Sequence, residues 1–367
     1  MRIVMTGGGT GGHIYAATAI ADRICEKHED AEILFIGTTR GLERELVPQQ
    51  GYPIEYVNVS GLNRKALWKN FGVIRQAYIA KKKAKETLEA FAPDAVIGTG
   101  GYVSGPVIEA AHSLGIKCYI HEQNAYPGLT NRLLERCAEK VFISFNEARR
   151  YFRNKDKLVF TGNPVRKEFF ESDRAAARAE LCIGENEFVL LTFGGSQGSK
   201  RINDAMLDVV RFYHDMRNIR IYFVTGNRHY AEIENDLKGR KLEDGNINLI
   251  RYLPDMPKYL HAADLVIGRA GALTLSEIMV CNKPSILIPS PIATRNHQFH
   301  NAMAAANIGA ATVIEERELN RSTLIREIER IRNNPELMHE MGDACARLIK
   351  RDAAEIIYEE LKLNKPE

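Results

Sequence analysis

No Cys-x-x-Cys pair occurs in this chain. Cys25, Cys118, Cys137, Cys182, Cys281 and Cys345 are scattered, with no histidine spacing that would complete a zinc site. A disulfide framework and a zinc module are thereby excluded, and the cysteines read as buried thiols of a reducing compartment. No apolar run is long enough to span a bilayer. The N-terminus runs at once into the strand-like Ile3-Val4-Met5, so no signal peptide is expected. A net charge of +3 is too small to argue for nucleic acid, and no nucleic-acid partner is expected. Low-complexity segments and short repeats are missing, and tryptophan occurs once, as Trp68.

What is present is an ordinary globular composition, 45% hydrophobic and 26% charged, over 367 residues. That length exceeds what one core fills, so two domains are expected. The most distinctive stretch is Gly7-Gly8-Gly9-Thr10-Gly11-Gly12-His13, between a strand-like run and the helical pattern Ala16 to Ile24. A strand, a glycine loop and a helix N-terminus form the local anatomy of a phosphate cradle, which points to a nucleotide or sugar phosphate. Two fingerprints nearly fit. Gly7, Gly9 and Gly12 match the dinucleotide spacing, but the next strand ends in Gly37-Thr38-Thr39 where an acid should hold the ribose. Gly7 and Gly12 have P-loop spacing, but His13 and Ile14 replace the lysine and the hydroxyl residue. Neither hydride transfer nor ATP hydrolysis follows. His13 lies in a helix's first turn, where the positive helix end favours a neutral imidazole suited to general-base work; a structural, capping histidine is the equal alternative.

Strand-like runs alternate with helical patterns throughout, the mark of parallel α/β architecture. Glycine and polar clusters follow the runs at Ala95–Ile97, Cys118–Ile120 and Leu158–Phe160: Gly98 to Pro106, His121 to Asn124, and Gly162 to Arg166. Open α/β sheets bind ligands at these carboxyl ends. The pattern restarts at Phe188–Leu191 with a second glycine loop, Gly194 to Ser199, and continues with runs at 221–224, 247–252, 265–267 and 285–288. From Arg321 to Leu363 the chain reads as helix, broken near Asn334-Pro335. The boundary falls near Pro164, which gives domains over 1–163 and 164–340, with C-terminal helices over 341–367 packing back toward the first. Facing each other, two such domains would form a cleft between their loop edges.

In the second domain, Arg269 to Glu277 follows a strand directly. A small-residue turn exposes a helix N-terminus, and Glu277 could accept both hydrogens of a ribose diol or be an ordinary first-turn acid. Asn296 to Asn301 clusters amide and imidazole groups that suit sugar hydroxyls, or form a solvated loop. Taken in order, Gly7–His13, Gly98–Pro106, His121–Asn124, Gly162–Pro164, Gly194–Gly198, Arg269–Glu277 and Asn296–Gln298 resemble the GT-B glycosyltransferases of family 28. Within that family they are most similar to the transferases that add N-acetylglucosamine to lipid-linked muramyl-pentapeptide in bacterial peptidoglycan synthesis.

The resemblance implies an α/β protein of GT-B fold, two Rossmann-like doubly wound parallel-sheet domains facing across a cleft. The second would hold the donor, UDP-N-acetylglucosamine, through Ala272, Leu273, Thr274, Leu275, Ser276 and Glu277, with Glu277 on the ribose. Leu253 would read uracil through its backbone, Ser196 would touch the diphosphate, and His297 and Gln298 would face the sugar. Thr10, Gly11, Gly12, Asn124 and Arg166 match further donor and cleft positions; Arg166 is otherwise a solvated linker arginine. The first domain would bind the acceptor, lipid I, through Gly100, Gly101, Tyr102, Ser104 and Glu122. His13 would be the base, with Glu122 its rival. The chain departs from the family at Ala16, where proline is usual; both suit a helix's first turns. No tightly bound cofactor or metal site is implied, and no Asp-x-Asp pair for manganese occurs, with free magnesium assisting from solution.

Leu67, Phe71, Ile74 and Tyr78 fall at i, i+4, i+7 and i+11 beside Trp68, and no acid interrupts Arg64 to Lys85. Such a basic amphipathic stretch can lie on an anionic membrane surface; packing on the core with a solvated basic face is the plainer reading. With the resemblance, peripheral attachment at the cytoplasmic face is expected, with other cell-wall and division proteins as partners. The alternatives are a GT-B transferase with another acceptor, a UDP-sugar epimerase, and a non-catalytic nucleotide-binding scaffold.

Overall fold

The computed structural model describes residues 1–61, 70–195, 197–240, 242, 245–348 and 352–361, apart from the side chains at 70, 71 and 74. The chain divides into two compact units, Met1–Val165 with Lys350–Glu367, and Arg166–Ile349.

In the first unit the order is β1 (Arg2–Gly7), α1 (Gly11–Lys27), β2 (Glu32–Gly37), α2 (Glu43–Gln49), β3 (Ile54–Tyr56), α3 (Asn70–Phe91), β4 (Ala95–Gly100), α4 (Ser104–Ser113), β5 (Lys117–Glu122), α5 (Leu129–Leu134), β6 (Lys140–Ile143) and β7 (Leu158–Phe160). The seven strands form one parallel sheet in the order β3-β2-β1-β4-β5-β6-β7. Ile3, Val4 and Met5 are all fully buried because helices cover both faces of the sheet. Along β1 the side chains alternate: Ile3 and Met5 join Ile14, Ile20 and Ile24 of α1, whereas Val4 joins Ala84 and Leu88 of α3 and Val107 of α4.

The second unit continues with α6 (Glu168–Glu171), α7 (Arg174–Glu180), β8 (Phe188–Phe193), α8 (Lys200–Tyr213), β9 (Ile219–Val224), α9 (Tyr230–Gly239), β10 (Ile247–Ile250), α10 (Met256–Ala262), β11 (Leu265–Gly268), α11 (Ala272–Val280), β12 (Ser285–Leu287), α12 (His297–Asn307), β13 (Ala311–Val313), α13 (Arg321–Arg332) and α14 (Pro335–Leu348). Its sheet is also parallel, six strands in the order β10-β9-β8-β11-β12-β13.

The last described helix, α15 (Ala353–Leu361), belongs to the first unit and lies on α1. Ile357 and Leu361 enter the core, Lys27 pairs with Glu355 at 2.7 Å, Arg23 pairs with Asp352, and the Tyr119 hydroxyl donates to Leu361 O at 2.9 Å. The division at the C-terminus falls later than expected. Helix α14 stays with the second unit because it packs on α11 and α13, and of the described residues beyond it those at 352–361 return to the first.

Candidate active site

In the first unit, the β1–α1 loop is held by carboxylate and backbone rather than left open for an anion. Glu43, fully buried at the head of α2, accepts the Gly9 N–H at 3.0 Å, the Thr38 N–H at 3.0 Å and the Thr38 hydroxyl at 2.6 Å. Gly8 N–H donates to Gly100 O at 3.2 Å. Two loop amides that a phosphate cradle would present are therefore already engaged, one by a negative charge. The phosphate-cradle expectation is corrected for Gly8 and Gly9. Thr10, Gly11 and Gly12 follow as N-cap and first turn of α1, and the Thr10 hydroxyl makes no capping bond.

The loop after β4 lies directly against this one. Gly101, at φ +84°, could carry no side chain, since a Cβ would stand 2.3 Å from Gly8 O. A Cβ on Gly100 would stand 3.0 Å from the His13 ring. Tyr102 packs beside Gly9 and Gly61. Ser104 is fully buried, and its single hydroxyl proton lies between Gly100 O at 2.8 Å and Thr6 O at 3.1 Å, which ties the loop after β4 to β1.

His13 is aimed from two strand ends. Thr99 Oγ1 donates to His13 O at 2.8 Å, and His13 Nδ1 lies 2.9 Å from Gln123 Oε1. Gln123 is buried directly after β5, and its Nε2 lies 2.8 Å from Thr99 O and 2.9 Å from His121 Nδ1. His121, also buried, places Nε2 3.1 Å from Gly162 O, and burial pushes its pKa down to about 4. Gln123 and Glu43, neither of which is a candidate on the sequence alone, hold the His13 ring and the glycine loop; their positions directly after β5 and at the head of α2 are the available signal.

The buried carboxylate of Glu122 accepts from Asn124 N at 2.9 Å, Asn124 Nδ2 at 3.1 Å, Gly128 N at 2.9 Å and Asn131 Nδ2 at 2.9 Å. Four donors make it the organiser of the 123–131 turn. Asn124 is held by that carboxylate.

In the second unit, the Gly194–Gly198 loop crosses the end of β9 so closely that a Cβ on Gly198, at φ +79°, would meet Thr225 O at 2.0 Å. Ser196 lies outside the described residues. Arg269 gathers three strand ends: it donates to Ile288 O at 3.1 Å and to Ser199 Oγ at 2.7 Å, and pairs with Glu316 at 2.5 Å. Asn301 Nδ2 donates to Ala270 O at 3.1 Å. These anchors fix the turn whose Gly271 is the N-cap of α11, with no side-chain cap over the helix end. Ala272, Leu273, Thr274 and Ser276 remain partly exposed there. Leu275 is fully buried and donates its N–H to Gly271 O, so within the expected donor stretch its side chain packs the core.

Glu277 is walled in although the residue as a whole is not fully buried, and burial pushes its carboxyl up to about 7, with the Arg166 guanidinium opposing. Arg166 stacks over Phe169 at 5.3 Å. Gln298 Oε1 accepts the Ser290 N–H at 2.9 Å, which turns its amide nitrogen outward, and His297 Nδ1–H donates to Thr294 O at 2.8 Å. Arg295 and Asn296, at φ +52° and +54°, form the left-handed bend that starts α12. Leu253 is buried in the turn before α10. Among the described residues no group of three or more His, Cys, Asp or Glu could hold a metal ion.

Residues 3–143 match the glycosyltransferase family 28 N-terminal domain and residues 189–357 its C-terminal domain. The chain belongs to glycosyltransferase family 28. It is 44% identical over 356 residues, 96% of each chain, to the UDP-N-acetylglucosamine--N-acetylmuramyl-(pentapeptide) pyrophosphoryl-undecaprenol N-acetylglucosamine transferase of Desulforamulus reducens. The protein of that name from Alkaliphilus metalliredigens is 43% identical, over 98% of each chain. Among solved structures, Acinetobacter baumannii MurG superposes with a TM-score of 0.79 at 26% identity, covering 98% of this chain and 99% of that one. The UDP-GlcNAc 2-epimerase of Neisseria meningitidis, at TM-score 0.69 and 16% identity over 99% and 100% of the two chains, shares the fold alone. Two parallel-sheet units in a family 28 chain make this a GT-B protein, and the epimerase alternative is not favoured.

Proposed function

We infer that this family 28 chain transfers N-acetylglucosamine from UDP-N-acetylglucosamine to the 4-hydroxyl of the muramyl sugar of lipid I, with inversion, giving lipid II. The observation that carries the reading is the full-length likeness, at 43 and 44% identity, to proteins bearing that name. The geometry supplies a chemistry for it. The acceptor oxygen attacks the anomeric carbon as the bond from that carbon to the UDP phosphate oxygen breaks. The hydroxyl proton passes to His13 Nε2, and the bonding pair leaves with UDP.

On the donor side, Glu277 takes the ribose diol, the α11 N-terminus and Arg166 meet the growing diphosphate charge, and the outward amide of Gln298 donates to the sugar. Free magnesium in solution would add counter-charge to the diphosphate that the α11 N-terminus and Arg166 meet.

Attachment to an anionic membrane at the cytoplasmic face belongs to the same reading. Helix α3 turns Ala80, Ala84 and Leu88 into the core and leaves Tyr78 73% and Ile79 52% exposed beside Lys81, Lys82, Lys83 and Lys85. Exposed apolar groups among cations support a surface-lying helix. Leu67 and Trp68, and the side chains of Phe71 and Ile74, lie outside the described residues. No described helix is long and apolar enough to cross a membrane.

The test is transfer of radiolabelled N-acetylglucosamine to a short-chain lipid I analogue by wild type and His13→Ala. Product from wild type and a loss of about 10²-fold or more in the variant are expected. UDP-sugar binding without product would overturn the acceptor, and an active variant would overturn the base.

A further inference from the structure

The amide of Gln123 can be oriented in only one way. Its Nε2 lies 2.8 Å from Thr99 O and 3.2 Å from His121 O, and carbonyl oxygens only accept. The NH2 group must therefore face them, which turns Oε1 toward His13. Since Oε1 only accepts, the ring nitrogen 2.9 Å away must carry hydrogen, making neutral His13 the Nδ1–H tautomer with its lone pair on Nε2. One amide hydrogen serves Thr99 O and the other lies between His121 O and the nearer His121 Nδ1; an amide nitrogen accepts nothing, so Nδ1 must accept and the His121 hydrogen sits on Nε2, facing Gly162 O at 3.1 Å. Burial holds His121 neutral, as this pattern requires.

We propose that Gln123, locked by Thr99 O and the His121 ring, is a positioning residue that fixes His13 in the tautomer whose Nε2 receives the acceptor proton. The proposal rests on His13 as the base. It also states what kind of base: the orienting partner is a neutral amide, not a carboxylate, so nothing in the relay adds a charge that would stabilise imidazolium. Among the described residues His121 on β5, beyond Gln123, is a titratable group that acts on the ring, and Glu43 spends its carboxylate on Gly9 and Thr38. Glu122 directs its carboxylate to 124–131.

Nitrogen-15 NMR of histidine-labelled wild type reads the tautomer without substrate, the His13 signals being assigned by their loss in His13→Ala. The expected result is Nδ1–H at His13 and Nε2–H at His121; a predominant Nε2–H form at His13 overturns the proposal. In the activity arm, Gln123→Leu lowers kcat by about tenfold or more with donor KM within about twofold of wild type, the range of a lost orientation of base catalysis. Gln123→Glu, which puts a carboxylate beside the ring, moves the acid limb of the kcat profile up by about one pH unit or more. An unchanged kcat and pH profile in both variants overturns the proposal. If NMR finds Nδ1–H but His13→Ala stays active, the base reading has failed while the relay stands.

Discussion

Glu43 accepts the N–H of Gly9 at 3.0 Å, across 34 residues of sequence. The side chain fills space that glycines leave: a Cβ on Gly8, Gly37 or Gly41 would come within 2.5, 2.7 or 2.0 Å of it. Glu43→Ala would strand the Thr38 and Gly9 donors in a buried site, at a cost of roughly 2–4 kcal/mol. The melting temperature should fall by roughly 4–15 °C. A melt within one degree or so of wild type would show that Glu43 is dispensable to the loop.

The two halves of the chemistry are separable by kinetics. His13→Ala should lower kcat with little change in donor KM, whereas Glu277→Ala should raise donor KM and leave kcat nearer wild type. Equal weakening of the donor in both variants would count against the division.

Glu277 gives donor binding a pH dependence. Its carboxyl is held up to about 7, and a ribose diol is best met by the ionised form, so UDP affinity should fall as pH drops from about 8 to 6. For the empty protein the sign is opposite. The folded pKa lies above the unfolded value, so the associated stability is fully present below about 4.5 and is lost as pH rises toward 7. Calorimetric titration with UDP over this range is the check, with Glu277→Gln as the pH-insensitive control. Constant affinity in wild type would contradict the assignment.

Arg269 ties Ile288 O, Ser199 Oγ and Glu316 with one guanidinium, a geometry that an ammonium cannot reproduce. Arg269→Lys should therefore lose most of what Arg269→Ala loses, with stability down by about 2–4 kcal/mol in the latter. Both should weaken UDP binding, because the α11 turn loses an anchor. Full donor affinity in Arg269→Lys would mean that charge alone suffices.

The strands that could be read from sequence are those buried on both faces. Ile3–Met5 and Val189–Leu191 are unbroken apolar runs because helices cover both sides of each sheet. The short strands β3, β6 and β13 escaped notice. Ile54–Tyr56 and Ala311–Val313 are three-residue edge strands, and Lys140–Ile143 opens on a lysine. In the site, loop spacing placed His13 at a helix start, but its partner Gln123 is 110 residues away and no local pattern encodes that meeting. A motif marks a stretch, not the direction of each side chain, and within the expected donor stretch Leu275 turns inward. With Ile278 and Met279 it falls at i, i+3 and i+4, the core face of α11.

The return of α15 to α1 has a consequence for how the protein is born. The second unit is inserted into the first, whose core closes only when Ile357 and Leu361 arrive. On the ribosome, the inserted unit can be fully packed while α1 still exposes the apolar surface that awaits the end of the chain. A message cut short just after α14 would thus yield a finished second unit joined to an unsealed first one.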